Sequence, residues 1–274
     1  MDVPTRSSAE RLIHEFLRPP LPTRDLRREH EVAVLADVYR LIISPGVENP
    51  EEEIVYYRWG TGSPRIMLLH GWGGKAVQYF AFVQALVKAG CEVVAFDGAA
   101  HGRSSGTLAS GPAFARAARE VANRVGQLDG LVAHSLGAVA SAIAMYKGLS
   151  VRRAVLLGPL AFIFPLLESF IQQKNLPAAE AETLRRSFRE RYRSEVLSVP
   201  EMAARFKATA LILHDPADRD APVQGARQIA AAWPGATLVE LPNIGHWRVL
   251  RAKAVVDRSV AFLVGSIEGP KVLV

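Results

Sequence analysis

The chain has 274 residues, 49% of them hydrophobic and 22% charged, which is enough apolar material for one sizeable core and argues against general disorder. Its net charge of +6, with a pI near 9.7, comes from basic residues interspersed with acidic ones, with no basic run interleaved with aromatics. The charge therefore reads as a solubility feature, and nucleic-acid binding is not expected.

Ser8 to Phe16 has the pattern of a short helix, followed by the stiff break Pro19-Pro20-Leu21-Pro22. Glu31–Ser44 and Ile54–Trp59 read as strands on either side of a turn-rich stretch from Pro45 to Pro50. From Arg65 onward, apolar strand runs alternate with amphipathic helices. The expected strands are Arg65–His70, Cys91–Asp97, Leu131–His134, Arg153–Leu157, Ala208–His214 and Ala236–Leu241. The expected helices are Lys75–Ala89, Pro112–Val125, Ala138–Lys147, Val223–Ala232 and Ala252–Val264. Such alternation implies an α/β fold with a mostly parallel sheet covered by helices on both faces, and the earlier strands add an antiparallel edge. Between Gly158 and Lys207 the alternation stops, leaving helical patterns without a strand. We expect one domain over 1–274, with a helical lid at about 159–207 and an N-terminal helical extension at about 1–28.

Cys91 is the only cysteine, so no disulfide can form within the chain, and it reads as a small buried hydrophobe. The N-terminal residues lack the apolar core of a secretion signal, and no apolar run reaches spanning length. A cytoplasmic protein without membrane attachment is the expectation; the sequence does not reveal the oligomeric state.

The chemistry concentrates at the ends of the expected strands, where open α/β sheets carry their sites. Ala133-His134-Ser135-Leu136-Gly137 lies between an apolar strand and an alanine-rich helix. Small residues at 133 and 137 let strand and helix approach closely, which throws the Ser135 hydroxyl above the sheet on a tight turn. His70-Gly71-Trp72-Gly73-Gly74 follows the first parallel strand and can present a backbone N–H to a developing oxyanion. Asp97 to Ser104 reads as a loop in which Asp97 and His101 satisfy local backbone groups. His214 to Pro222 offers Asp215, Asp218 and Asp220 as groups able to orient a histidine, and Gly245-His246 follows the last strand. His134 is expected to pack on the far side of the turn. A serine hydroxyl is a poor nucleophile at neutral pH and needs a base whose tautomer a third group holds. The chain order Ser135, Asp218, His246 supplies nucleophile, acid and base in turn.

In these residues the chain resembles the α/β-hydrolase superfamily over about Ile54 to Val264, and small bacterial hydrolases of unassigned substrate in particular. His70-Gly71-Trp72-Gly73 is similar to the superfamily's oxyanion loop. Asp97 to Ser104 is similar to its Asp-x-x-Gly-x-Gly-x-Ser loop, with Ala100 for the first glycine. Asp218 to Pro222 is similar to its Asp-x-x-Val-Pro segment, with Ala221 for valine, and Gly245-His246 to the Gly-His of its base. The resemblance implies an α/β-hydrolase fold and a reaction class.

The expected activity is hydrolysis of an ester-like acyl bond in a small apolar substrate through an acyl-enzyme. Ser135 attacks, His246 is the base, Asp218 orients it, and the N–H groups of Trp72 and Leu136 form the oxyanion hole. Trp247, Phe162 and Phe164 are the expected substrate contacts. Short acyl chains, acetyl to hexanoyl, are expected to turn over faster than palmitoyl. No metal or organic cofactor is expected, because the seven histidines show no metal-binding spacing and no phosphate-binding glycine loop is present. The arginines from Arg185 to Arg193 read as a solvated helix face. The alternatives are other cofactor-free chemistry on the same fold (a haloperoxidase or lyase) and a non-catalytic ligand receptor.

Overall fold

The alternating apolar runs pair into one eight-stranded sheet in the computed structural model, which describes residues 8–21, 26–192 and 198–265. The strands are β1 (Asp37–Ile43), β2 (Glu52–Trp59), β3 (Arg65–Leu69), β4 (Glu92–Phe96), β5 (Gly130–His134), β6 (Arg153–Leu157), β7 (Thr209–His214) and β8 (Ala236–Glu240). They lie in the order β1-β2-β4-β3-β5-β6-β7-β8. β1 and β2 form the expected antiparallel edge against β4, and the pairings from β4 through to β8 are parallel.

The helices among the described residues are α1 (Ser8–Phe16), α2 (Arg27–Ala33), α3 (Phe80–Lys88), α4 (Gly111–Val125), α5 (Leu136–Tyr146), α6 (Phe164–Gln173), α7 (Ala178–Tyr192), α8 (Val199–Ala203), α9 (Val223–Ala232) and α10 (Lys253–Val264). Because successive strand side chains point to opposite faces, each buried strand feeds two cores. Met67, Leu69, Leu131, Ala133 and Leu156 enter the core shared with α4 and α5. Ile66, Leu68, Val132 and Val155 enter the core shared with α3 and α10.

Two expectations need correction. Glu31–Ser44 is not one strand: its first residues belong to α2, and β1 begins at Asp37. Helix wins there because the Glu29 carboxylate accepts the Leu26 N–H at 2.9 Å, capping the first turn. Buried Val32 then packs inward, its carbonyl accepting the Trp59 indole N–H at 2.9 Å. The expected helix Lys75–Ala89 starts as a 3₁₀ turn, Ala76–Tyr79, before α3. The remaining expected elements agree to within two residues at each end, and the stretch without strands holds α6, α7 and α8. Of the expected N-terminal extension, residues 1–7 and 22–25 lie outside the described residues, as does Arg193.

The strand order reverses at β3. The chain passes from β3 to β4 on one side and then back across to β5 on the other, which opens a crevice at the C-terminal ends of these strands. α5 closes tightly over that crevice. A Cβ built on Gly137 would lie 2.3 Å from the Leu69 carbonyl oxygen and 2.6 Å from that of His70. Gly137→Ala is therefore expected to lower stability by about 1–3 kcal/mol, read as a reduced urea midpoint at unchanged m-value, because the backbone of β3 cannot yield as a side chain would.

Candidate active site

Ser135 occupies the single-residue turn between β5 and α5. Its φ of 51° and ψ of −117° lie in a region that side-chain-bearing residues rarely enter. The strain is held from both sides: the Ser135 N–H donates to Leu157 O at 3.1 Å, and its carbonyl accepts the Ala138 N–H at 3.0 Å. Leu136 begins the helix, so its N–H has no intrahelical acceptor and lies at the positive end of the helix dipole. Trp72, in the loop after β3, lines the same cavity as Ser135 and Leu136. Neither the Trp72 nor the Leu136 N–H has a hydrogen-bond acceptor among the described residues.

The loop after β7 sorts its three carboxylates. Asp218 Oδ2 accepts the His246 Nδ1–H at 2.7 Å, while Oδ1 accepts the N–H groups of Asp220 at 2.8 Å and Ala221 at 3.1 Å. Burial opposes the charge on Asp218, but these hydrogen bonds together outweigh it and keep the carboxyl below its ordinary range. Asp215 serves the neighbouring loop: its Oδ2 accepts the Gly245 N–H at 2.6 Å, which fixes the residue before His246. Asp220 is exposed, although one carboxylate oxygen lies within 4.8 Å of the ligand atoms of Asp218 and His246. Gly158, at the end of β6, lies beneath the Asp218–His246 pair. Its φ is 50°, and a Cβ there would come 3.3 Å from His246 Nδ1 and 3.5 Å from Asp218 Oδ2. The sequence reading passed over Gly158; a glycine directly after a strand was the available signal.

His134 packs, as expected, and its neighbour there is His246: the rings are tilted to each other with centroids 4.6 Å apart, and Nε2 lies 2.9 Å from the His246 carbonyl oxygen. Burial, reinforced by the nearby His246, lowers its pKa to about 3, so it stays neutral and donates through Nε2–H. The residue preceding Ser135 thus ties β5 to the loop that carries His246.

The loops after β3 and β4 are knitted by two more neutral histidines. His70 Nδ1–H donates to Gly71 O at 2.8 Å and its Nε2 accepts the Gly98 N–H at 2.9 Å. His101 Nε2 accepts the Gly73 N–H at 2.9 Å, and its Nδ1–H donates to Ala99 O at 2.9 Å. Burial lowers their pKa values to about 4 and about 3, with His70 adding to the effect at His101. Asp97 binds the Ala76 N–H at 2.8 Å, the Arg103 N–H at 2.9 Å and the Tyr57 hydroxyl at 3.0 Å, the loop-shaping role expected of it. Ala100 takes a φ of 61°, which explains why related loops carry glycine there.

Ser135, His246, Trp72, Leu136 and Trp247 open onto one cavity of about 440 Å³, which is mostly apolar. Phe162 and Phe164 are not among its lining residues. Phe162 forms an isolated β-bridge with Ser198, and Phe164 packs edge-on against Phe188, 5.8 Å away, with the Arg189 guanidinium over its ring. One position along, Ile163 lines the cavity, as do Leu166 and Phe170 of α6. The sequence reading located the apolar segment but not its inward face, because α6 begins at Phe164 and sets the helical phase from there. Phe16 and Leu17, from the N-terminal segment, also line the cavity and were not foreseen.

Residues 66–258 match the Alpha/beta hydrolase family. The chain belongs to that family. No curated protein sequence matches. Among solved structures, the esterase EaEST from Exiguobacterium antarcticum is 15% identical, with a TM-score of 0.63 over 82% of this chain and 99% of that one. Est1E from Butyrivibrio proteoclasticus, with ferulic acid bound, is 14% identical, with a TM-score of 0.62 over 82% and 98%. A bromoperoxidase from Bacillus anthracis is 18% identical, with a TM-score of 0.63 over 82% and 99%. At these identities the likeness extends to the fold, and this alpha/beta hydrolase shares its sheet with proteins of more than one named chemistry. No helix among the described residues is long and apolar enough to cross a membrane.

The neutral histidines give the hydrolase a defined acid sensitivity. Unfolded imidazole titrates near 6.5, whereas His70, His101 and His134 are lowered to about 4, 3 and 3. Between about pH 6.5 and 4 the unfolded chain therefore binds more protons, so stability is full above this window and falls as pH drops through it. Asp97, whose pKa burial raises, acts with the opposite sign. Urea midpoints are expected to fall steadily from pH 7 to pH 4.5, and less steeply in His70→Gln, which cannot take up the proton. An unchanged slope in that variant would remove His70 from the effect.

Proposed function

We propose that this alpha/beta hydrolase is a serine hydrolase that cleaves an ester-like acyl bond in a small apolar substrate through an acyl-enzyme. The observation that carries the reading is the hydrogen bond from His246 Nδ1–H to Asp218, with Ser135 on the cavity that His246 also lines. With Nδ1 protonated and engaged, His246 has Nε2 left as the basic nitrogen. In this mechanism it removes the Ser135 proton as the hydroxyl oxygen attacks the acyl carbon. The oxyanion forms against the N–H groups of Trp72 and Leu136, donors fixed in place before the reaction begins. His246 then returns the proton to the departing alcohol, and water hydrolyses the acyl-enzyme by the same route. Asp218 holds the tautomer and stabilises the imidazolium. The insertion bearing α6 and α7 acts as a lid over the acyl side, and its apolar lining favours hydrocarbon over charge.

A fluorophosphonate probe is expected to label Ser135 and no other serine, and Ser135→Ala is expected to lose on the order of 10⁶-fold in kcat. Labelling elsewhere with Ser135 untouched would overturn the reading. Asp218→Asn is expected to cost roughly 10⁴-fold in kcat and Asp220→Asn far less, measured on p-nitrophenyl butyrate. The reverse ranking would move the acid to Asp220. Across p-nitrophenyl esters, acetyl to hexanoyl chains are expected to outpace palmitoyl, because the rings of Phe16, Phe170 and Phe188 stand together in the wall of the cavity.

A further inference from the structure

The family match begins at residue 66, yet the chain ahead of it walls two cavities. On one side, Phe16 at the end of α1 meets Phe170 edge-on at 5.4 Å and Phe188 at 5.7 Å, closing the chamber that Ser135 lines. Leu17 lines it too, and its carbonyl accepts the Ala109 N–H at 2.9 Å, fastening this segment to the approach to α4. On the other side lies a second cavity of about 490 Å³, bounded by Pro20, Leu26 and Glu29 from the N-terminal segment and by Phe80 and Leu250. Trp72 and Trp247 belong to both cavities. They bear on the candidate chemistry itself, since Trp72 carries an oxyanion N–H and Trp247 follows the base.

The segment is anchored where it crosses between the cavities. A Cβ on Gly73 would lie 2.9 Å from Pro20 Cγ, so the chain rests directly on the oxyanion loop. Glu29 is buried and pairs with buried Lys75 at 3.2 Å, just beyond that loop. The carboxylate is thereby neutralised; Pro20, Leu26, Phe80, Leu250 and the two indoles give the second cavity a mostly apolar wall, with Gln78 and Arg251 as its other polar lining.

In the mechanism above, the base must reach the departing oxygen, so the alcohol limb leaves on the side of His246 and its neighbour Trp247. Resting on that reading, we propose that the N-terminal segment completes both substrate subsites of this hydrolase: Phe16 sets the depth of the acyl chamber, and Leu26 bounds the second cavity, which receives an apolar alcohol limb of aryl size. The substrate class is then an ester with two apolar limbs. The segment outside the family match supplies one wall of each subsite, beside those given by α6, α7 and the two indoles.

The test crosses two variants with two substrate series. Leu26 is half exposed and its side chain takes no part in capping α2, so Leu26→Trp fills the second cavity without disturbing the fold. Phe16→Leu and Phe16→Ala enlarge the acyl chamber in two steps. In an acyl series of p-nitrophenyl esters, Phe16→Ala is expected to raise kcat/KM for decanoyl relative to acetyl by about tenfold, with Phe16→Leu between. In an alcohol series of acetates, Leu26→Trp is expected to lower kcat/KM for 2-naphthyl relative to methyl acetate by about tenfold. Each variant should leave the order of the other series unchanged. Calorimetric binding of 2-naphthol to Ser135→Ala protein gives a readout without turnover, and it should be lost with Leu26→Trp and retained with Phe16→Ala. If all substrates change by one common factor, or 2-naphthol still binds Leu26→Trp, the proposal fails. Fluorophosphonate labelling that misses Ser135 would overturn the catalytic reading instead, while naphthol binding still decides the second cavity.

Discussion

Everything at the candidate site depends on how closely α5 approaches the end of β3. With no Cβ at Gly137, the first turn of the helix sits against the carbonyls of Leu69 and His70. That approach forces Ser135 into its φ of 51° and brings the Leu136 N–H beside the loop that carries Trp72. A more relaxed junction would let the serine settle into the helix, where its hydroxyl would face the backbone and not the cavity. The cost of one strained residue, of order 1–3 kcal/mol, is offset by cores on both faces of the sheet.

The second constraint is that two buried histidines beside the site, His70 and His101, are satisfied without charge. His70 and His101 each accept a backbone N–H and donate to a carbonyl, so each links two chain segments only while neutral. Phe114 lies edge-on to both rings, at 5.0 and 5.1 Å, and seals them from water. Burial of the imidazoles and the shape of the loop that carries Trp72 are thus one fact. Asp215 and His134 hold the loop of His246, one binding the Gly245 N–H and the other the His246 carbonyl.

The sheet was legible in sequence because parallel strands buried on both faces are continuous apolar runs, as in Ile66-Met67-Leu68-Leu69 and Val93-Val94-Ala95-Phe96. The candidate constellation was legible because glycine and serine at strand ends have few other reasons to stand together. What escaped was set by contacts distant in sequence. α2 reads as strand by composition, and only its capping by Glu29 and the Trp59 bond to Val32 turn it helical. Phe16 and Leu17 carry no local sign that they reach a cavity more than a hundred residues downstream. Phe162 and Phe164 were chosen by hydrophobicity, but the phase of α6 points Leu166 and Phe170 inward.

The buried pair of Glu29 and Lys75 has a consequence for how sharply the chambers are defined. Taking two charges out of water consumes much of what their attraction returns, so such a pair adds little to net stability. Displacing it is another matter: a slip of the segment by one residue would separate two buried charges that face each other at 3.2 Å, a penalty of several kcal/mol. The pair therefore acts as an indexing pin, admitting one alignment of the N-terminal segment on the oxyanion loop and penalising its neighbours. Leu26, whose N–H the Glu29 carboxylate accepts at 2.9 Å, is held in that alignment. The gauge of the second cavity is then set by electrostatic register, independently of how tightly the segment adheres.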